Sequence, residues 1–77
     1  MIQIRKVAAG KYYIDSNRNI AREVLEVKDD AVFFITYHLD TGASTGNPNM
    51  CMKTSFTHWA HHEATQAEIF DLQHRRM

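Results

Sequence analysis

The sequence predicts a mainly β domain: a small barrel or a curled antiparallel sheet of four or five strands, followed by short C-terminal helices. The 77 residues suffice for one hydrophobic core but not for two domains. Residues 31–37 (AVFFITY) are rich in the β-branched and aromatic residues that favour strands, and from residue 56 the apolar spacing becomes helical. We therefore expect residues 1–77 to form one domain, with the sheet over about 2–55 and helical turns over about 56–74.

The N-terminal segment is predicted to contain one clear strand. Residues 2–8 alternate loosely between apolar and polar types, which fits either a short edge strand or an irregular start. Residues 11–14 (KYYI) have the aromatic and β-branched composition of a strand. Residues 15–19 (DSNRN) favour a turn, because Asp, Ser and Asn side chains can hydrogen-bond to the nearby backbone.

Residues 20–28 (IAREVLEVK) are compatible with two structures. Several of their apolar side chains share one helical face, and Asn19 is a suitable N-cap for a helix. Alternatively, the segment pairs with residues 31–37 as an antiparallel hairpin across the two-residue turn Asp29-Asp30. Because residues 31–37 are so clearly strand-like, we favour the hairpin.

A polar loop separates this hairpin from one further strand. Residues 40–49 (DTGASTGNPN) contain two glycines and the only proline, and a loop of this length is a candidate contact region. Met50 and Met52 then alternate with Cys51 and Lys53, which predicts a strand over about 50–54.

Two helical segments are predicted after the sheet. Phe56, Trp59 and Ala60 have helical spacing, with Thr54 or Ser55 as the cap. The segment from Thr65 to Glu68 matches the capping box that opens a helix, and the apolar residues that follow give this terminal helix one buried side. The last three residues, 75–77, are expected to fray.

Several segments of the chain together resemble a known structural class. They are Gly10-Lys11-Tyr12-Tyr13, Arg22-Glu23-Val24-Leu25, residues 32–37, Cys51 and residues 55–60. In this order they resemble small, uncharacterised bacterial and phage proteins that look like SH3-like barrels. The resemblance implies a strand over residues 20–28 and a Phe-x-x-Trp-Ala turn that closes one end of the barrel. It implies no specific function, and the tail from His61 has no counterpart in it.

Charge and cysteine content limit the classes of function and location. Nine basic and nine acidic residues cancel, which argues against the strong phosphate attraction of dedicated nucleic-acid binders. A single cysteine, Cys51, excludes an intrachain disulfide, and no apolar stretch is long enough for a secretion signal or a membrane span. We therefore expect a cytoplasmic protein without membrane contact.

One cluster in the sequence holds the side-chain types that bind metals: His58, His61, His62 and Glu63, with Cys51 seven residues before His58. On a helix, His58 and His62 share one face at i, i+4, and the Cys51 thiolate would be a third ligand. A structural zinc site usually needs four ligands with closely spaced cysteines, and the chain has one cysteine. We therefore expect solvated histidines, with neither a bound metal nor another cofactor.

No catalytic residue is predicted. Cys51 lies between Met50 and Met52 on an expected strand, which is typical of an inert core thiol rather than a nucleophile. A barrel of this size also has little room for an enclosed catalytic pocket. We therefore expect a protein that is not an enzyme.

The predicted function is that of a small binding or accessory module that contacts a protein partner or itself. One alternative is binding of single-stranded nucleic acid through a basic and aromatic face, for which the candidate residues are Tyr12, Arg18, Arg22, Tyr37 and Lys53. A second alternative is a metal-binding or redox role for Cys51 with His58 and His62. The sequence identifies neither the partner nor the oligomeric state.

Overall fold

Five antiparallel strands form one sheet in the computed structural model, which describes residues 6–75. The strands are β1 (Tyr12–Asp15), β2 (Ile20–Lys28), β3 (Ala31–His38), β4 (Asn49–Met52) and β5 (Ala60–Glu63). Helix α1 (Lys53–Trp59) lies between β4 and β5 in the chain, and helix α2 (Gln66–Arg75) follows β5. An edge strand or an irregular start was predicted over residues 2–8; residues 6–8 are not a strand, and residues 2–5 lie outside the described residues. Of the three residues expected to fray, Arg75 is the last residue of α2, and residues 76–77 lie outside the described residues.

The sheet is open, so the predicted antiparallel sheet with C-terminal helices is confirmed but a closed barrel is not formed. The strand order is β4-β3-β2-β1-β5, which leaves β4 and β5 at opposite edges. Closure would require β4 to pair with β5. Each of these strands has only four residues, and β5 carries a bulge, which disfavours such pairing.

The β2–β3 hairpin is the largest pairing in the sheet and confirms the predicted strand over residues 20–28. Its register runs from Ile20 opposite His38 to Lys28 opposite Ala31, with a bulge at Leu25. Asp29 and Asp30 form the predicted two-residue turn, in which Asp29 has a left-handed φ of 55°. The helical alternative fails because β2 is a central strand that hydrogen-bonds to β1 and β3.

One side of the sheet, here called the α1 face, packs against α1. Phe56 of α1 is fully buried there. Its ring centroid lies 5.5 Å from that of Tyr13, 5.7 Å from that of Phe34 and 5.5 Å from that of Trp59. Phe56 therefore joins α1 to β1 and β3, and the predicted Phe-x-x-Trp turn packs on the sheet as expected.

The other side, here called the α2 face, packs against α2. Leu72 of α2 is buried in a cluster with Ala64 and with sheet residues Tyr12, Ile14, Ala21 and Tyr37. The predicted capping box is confirmed, because the Glu68 N–H donates to the Thr65 hydroxyl (3.2 Å) and the Thr65 N–H donates to the Glu68 carboxylate (2.9 Å). Burial opposes ionisation of Glu68, but hydrogen bonds from Thr65 and His62 hold its pKa below the ordinary value.

Three local predictions were wrong in detail. The strand expected over 50–54 ends at Met52, and α1 begins at Lys53 without a side-chain cap from Thr54 or Ser55. The chain leaves α1 at Ala60 and becomes strand β5 instead of continuing towards the terminal helix.

In the described part of the chain, no helix is long and apolar enough to cross a membrane.

We expect Phe56→Ala to destabilise the fold by about 3–5 kcal/mol, because it removes the ring that joins α1 to two strands. Urea denaturation followed by far-UV circular dichroism measures this change. The matched control is Phe70→Ala on α2, where the ring is 60% exposed and the expected loss is below about 0.5 kcal/mol. Equal losses for the two variants would contradict the central role of Phe56.

We expect Asp29→Gly to stabilise the fold by about 0.5 kcal/mol, because relief of the left-handed backbone outweighs the extra entropy of glycine in the unfolded chain. Asp30→Gly, at the next turn position, brings no such relief because Asp30 does not have a positive φ. It should therefore lower the midpoint of urea denaturation. A higher midpoint for Asp30→Gly than for Asp29→Gly would refute this account of the turn.

Candidate functional site

The candidate site is an open apolar area on the α2 face where β3 meets β4. We call it the β4 surface and define it by Ala31, Phe33, Met50 and Met52. Phe33 pairs with Met50 and Ala31 pairs with Met52, so the four side chains form two adjacent rows. Met50 is 57% exposed and Met52 is 52% exposed.

The β4 surface is open because α2 covers only part of the α2 face of the sheet. Leu72 and Ile69 of α2 pack on the side of the sheet formed by β1 and β2 and by the end of β3. The alternation of β4 then directs Met50 and Met52 to the uncovered end of the α2 face, while Cys51 points to the α1 face and packs partly against its core. Two unbranched apolar side chains are thus presented together to solvent.

The backbone of β4 is also open on its outer side. The Lys53 N–H donates to the Asp30 carbonyl (2.6 Å), so Lys53 directs its backbone groups towards the β2–β3 hairpin. The direction of the backbone N–H and C=O groups alternates along a strand. The backbone groups of Cys51 therefore also point towards β3, whereas those of Met50 and Met52 point outwards, away from the sheet. Within residues 6–75, β3 is the only strand that pairs with β4.

The open edge is short and has defined limits. Pro48 precedes β4 and has no backbone N–H to offer a further strand. Lys53 begins α1 directly after the strand, and a helix cannot continue a sheet edge. Proline, lysine and short length are devices that restrict pairing at sheet edges. Among residues 6–75, Met50 and Met52 are therefore the residues of this edge that present both an N–H and a C=O group for strand addition.

Arg22, a predicted binding residue, lies on the α1 face between aromatic rings. Its guanidinium carbon lies 4.1 Å from the ring centroid of Trp59 and 4.4 Å from that of Phe34. Its Nε atom is buried and has no hydrogen-bond partner in the described part of the chain. Burial lowers the pKa of Arg22, and the negative charges nearby offset part of this effect. The cation–π contacts are therefore the main described interactions of this charge.

The two predicted tyrosines do not share a face of the sheet with Arg22. Tyr12 and Tyr37 are buried on the α2 face, where the Tyr37 hydroxyl donates to the Glu23 carboxylate (2.8 Å). Arg18 lies in the exposed turn between β1 and β2, and Lys53 begins α1. The expected combination of basic and aromatic side chains on one face is thus not formed by these five residues.

The three residues predicted to bind one metal ion together are on different elements. Cys51 lies on edge strand β4 and His62 on the opposite edge strand β5, while His58 is exposed on α1. In residues 6–75, no three His, Cys, Asp or Glu side chains are grouped so that they could hold a metal ion. Burial raises the pKa of the Cys51 thiol, which the positive charge of Arg22 only partly opposes. This disfavours a reactive thiolate at neutral pH.

A small cavity lies on the α2 face, next to the turn between β1 and β2. It has a volume of about 210 Å³ and is lined by Ile14, Arg18, Leu39, Glu68, Asp71 and Leu72. Pockets for drug-sized ligands usually have volumes of about 300–1,000 Å³. We therefore base the functional argument on the open surface at β4.

Comparisons with known proteins place no further constraint on the site. No protein-family model matches the chain, and no curated protein or solved structure matches it significantly.

The sequence pattern predicts the alternation of Met50 and Met52 but not their exposure. The signal that could have revealed it is the position of Pro48, because a strand that follows a proline is often at the edge of a sheet.

Proposed function

We propose that this chain is a non-enzymatic protein-binding module whose binding surface is the β4 surface, and that a second copy of the chain occupies it. The observation that carries the proposal is that, among residues 6–75, no strand pairs with the outer side of β4, whose two outward-facing residues also present exposed methionine side chains. Strand addition supplies backbone hydrogen bonds at such an edge, and the adjacent apolar side chains supply burial.

The available backbone groups select one arrangement of the two copies. If two β4 strands pair in antiparallel fashion, hydrogen-bonded pairs must form between outward-facing residues. Both outward residues are used only when Met50 lies opposite the partner's Met52 and Met52 opposite the partner's Met50. Cys51 then lies opposite the partner's Cys51 on the two-fold axis. A register shifted by two residues would involve either Pro48, which has no N–H, or the start of α1.

The side chains of this arrangement are mutually compatible. The apolar rows of the two copies join across the axis, so that Phe33 and Met50 of one protomer continue into the partner's Met52 and Ala31. Lys53 lies opposite the partner's uncharged Asn49, so no like charges are directly opposed. Both copies use the same surface, which gives a closed dimer rather than an open fibre.

The dimer should be weak. The contact involves only the four residues of the β4 surface in each copy. A contact of so few residues buries less than the roughly 1,200 Å² of total surface that stable complexes usually bury. We therefore expect a dissociation constant on the order of 0.1 mM. Self-association at such concentrations suits a regulated or locally concentrated module.

We also propose that the fold of this chain is related to that of SH3-like barrel proteins. The five-stranded antiparallel sheet and the helical turn with Phe56 support it, whereas the open edges of the sheet differ from a closed barrel. Binding of nucleic acid has less support, since Arg22 and the two tyrosines lie on opposite faces of the sheet.

The first test is sedimentation equilibrium of the purified protein between about 0.01 and 1 mM, which spans the expected dissociation constant. We expect the average mass of the wild-type protein to rise with concentration. The double variant Met50→Lys, Met52→Lys should remain a monomer, because each copy would bring two positive charges to the axis and like charges would lie directly opposite each other. Phe70→Lys is the matched control, since Phe70 is 60% exposed on α2. A wild-type protein that stays monomeric throughout would refute self-association.

The second test probes the register through Cys51. In this register the two Cys51 residues form a non-hydrogen-bonded pair, in which the Cα atoms lie about 4.5 Å apart, and a disulfide can span this distance. The oxidant diamide should therefore convert the two thiols into an interchain disulfide and take up their two hydrogen atoms. The control is Asn49→Cys with Cys51→Ala, which places an exposed thiol on the same strand but away from the axis. Non-reducing electrophoresis should show a dimer at about 0.1 mM protein only for the wild type. Equally fast cross-linking of the control would exclude this register.

A further inference from the structure

A bulge in β5 brings two adjacent histidines together. Ile14 of β1 pairs with His62, but its neighbour Asp15 pairs with Ala60, so His61 is an extra residue in the strand. Adjacent residues of a regular strand point to opposite faces. A bulge changes the direction of a side chain, and bulges are frequent beside functional sites.

The two imidazole rings face each other through the same ring atom. His61 Nδ1 and His62 Nδ1 lie 2.9 Å apart, and the rings are nearly perpendicular at 89°. On its other side, His62 Nε2 lies 3.2 Å from both carboxylate oxygens of Glu68 on α2. His61 is exposed and His62 is partly buried, so the pair is open to solvent from one side.

The carboxylate determines which nitrogen of His62 is free to bind. Glu68 accepts a hydrogen bond, so Nε2 of His62 carries the proton and Nδ1 of the neutral ring presents a lone pair towards His61. A carboxylate on the far nitrogen of an imidazole is the arrangement that orients histidine ligands in metal sites. The capping box in turn holds Glu68, because the Thr65 N–H donates to the same carboxylate (2.9 Å).

The spacing of the two Nδ1 atoms fits a shared metal ion after a small ring movement. Two imidazole nitrogens bound at about 2.1 Å to a tetrahedral zinc ion are about 3.4 Å apart. The observed 2.9 Å is about 0.5 Å shorter, which rotation of the exposed His61 ring can supply. Binding through both Nδ1 atoms requires the proton between them to move to Nε2 of His61, so that both rings bind as neutral imidazoles.

We propose that His61 and His62 form a binding site for a divalent transition metal, with Glu68 as the outer carboxylate. Imidazole nitrogen suits Zn²⁺ and Cu²⁺, and copper binds nitrogen sites more tightly in the general order of affinities. Water completes the coordination, because no third protein ligand joins the pair among the described residues. The site lies at the edge opposite the β4 surface and does not depend on the proposed dimer.

The test is titration of the apo protein with Cu²⁺ and, separately, with Zn²⁺, followed by isothermal calorimetry and by the imidazole resonances in nuclear magnetic resonance spectra. A protein concentration of about 20 µM keeps the chain below the expected dimer dissociation constant. We expect one metal per chain, with shifts of the His61 and His62 resonances. His61→Ala and His62→Ala should each weaken binding at least tenfold, and Glu68→Gln about tenfold.

His58→Ala is the matched control, because His58 is exposed on neighbouring α1 and lies outside the pair. We expect it to bind the metal as the wild type does. His61 is exposed, so His61→Ala should fold normally, which circular dichroism checks. The proposal is overturned if neither metal binds in a 1:1 ratio, if His61→Ala retains wild-type affinity, or if His58→Ala loses as much affinity as His61→Ala.

Discussion

The burial of Phe56 is the constraint on which the arrangement of the sheet depends. Its ring contacts β1 through Tyr13 and β3 through Phe34, and it thereby fixes α1 across one face. Helix α1 is also the connection between the two edge strands. From Met52 to Ala60 this connection spans at most about 17 Å, whereas β4 and β5 would be about 19 Å apart in a flat sheet. The sheet must therefore curl around α1.

The features predicted correctly from the sequence depend on signals within a few residues. The β2–β3 hairpin follows from a strand-like segment beside the polar turn Asp29-Asp30, and the start of α2 follows from the capping box between Thr65 and Glu68. The burial of Phe56 follows from its helical spacing to Trp59. In each case the local preference and the global fold agree, so the pattern was sufficient.

The features that sequence reasoning missed depend on contacts between distant residues. Strand β5 (AHHE) has little strand propensity of its own, and it is a strand because its backbone pairs with β1. The expected binding face failed for a related reason. Tyr12 and Arg22 point to opposite faces, and this follows from the register, in which Tyr12 pairs with Glu23 and Tyr13 with Arg22. A register of this kind cannot be read from composition or charge.

The two edges of the sheet therefore have different chemical character, and this difference makes the two proposals compatible. At β5, the bulge and the polar side chains of His61 and Glu63 disfavour addition of another strand. At β4, Pro48 and α1 restrict the free edge to two residues. Because only one edge accepts a copy, association stops at two chains. A small domain has limited buried surface, so even this weak pairing would raise its stability as concentration increases.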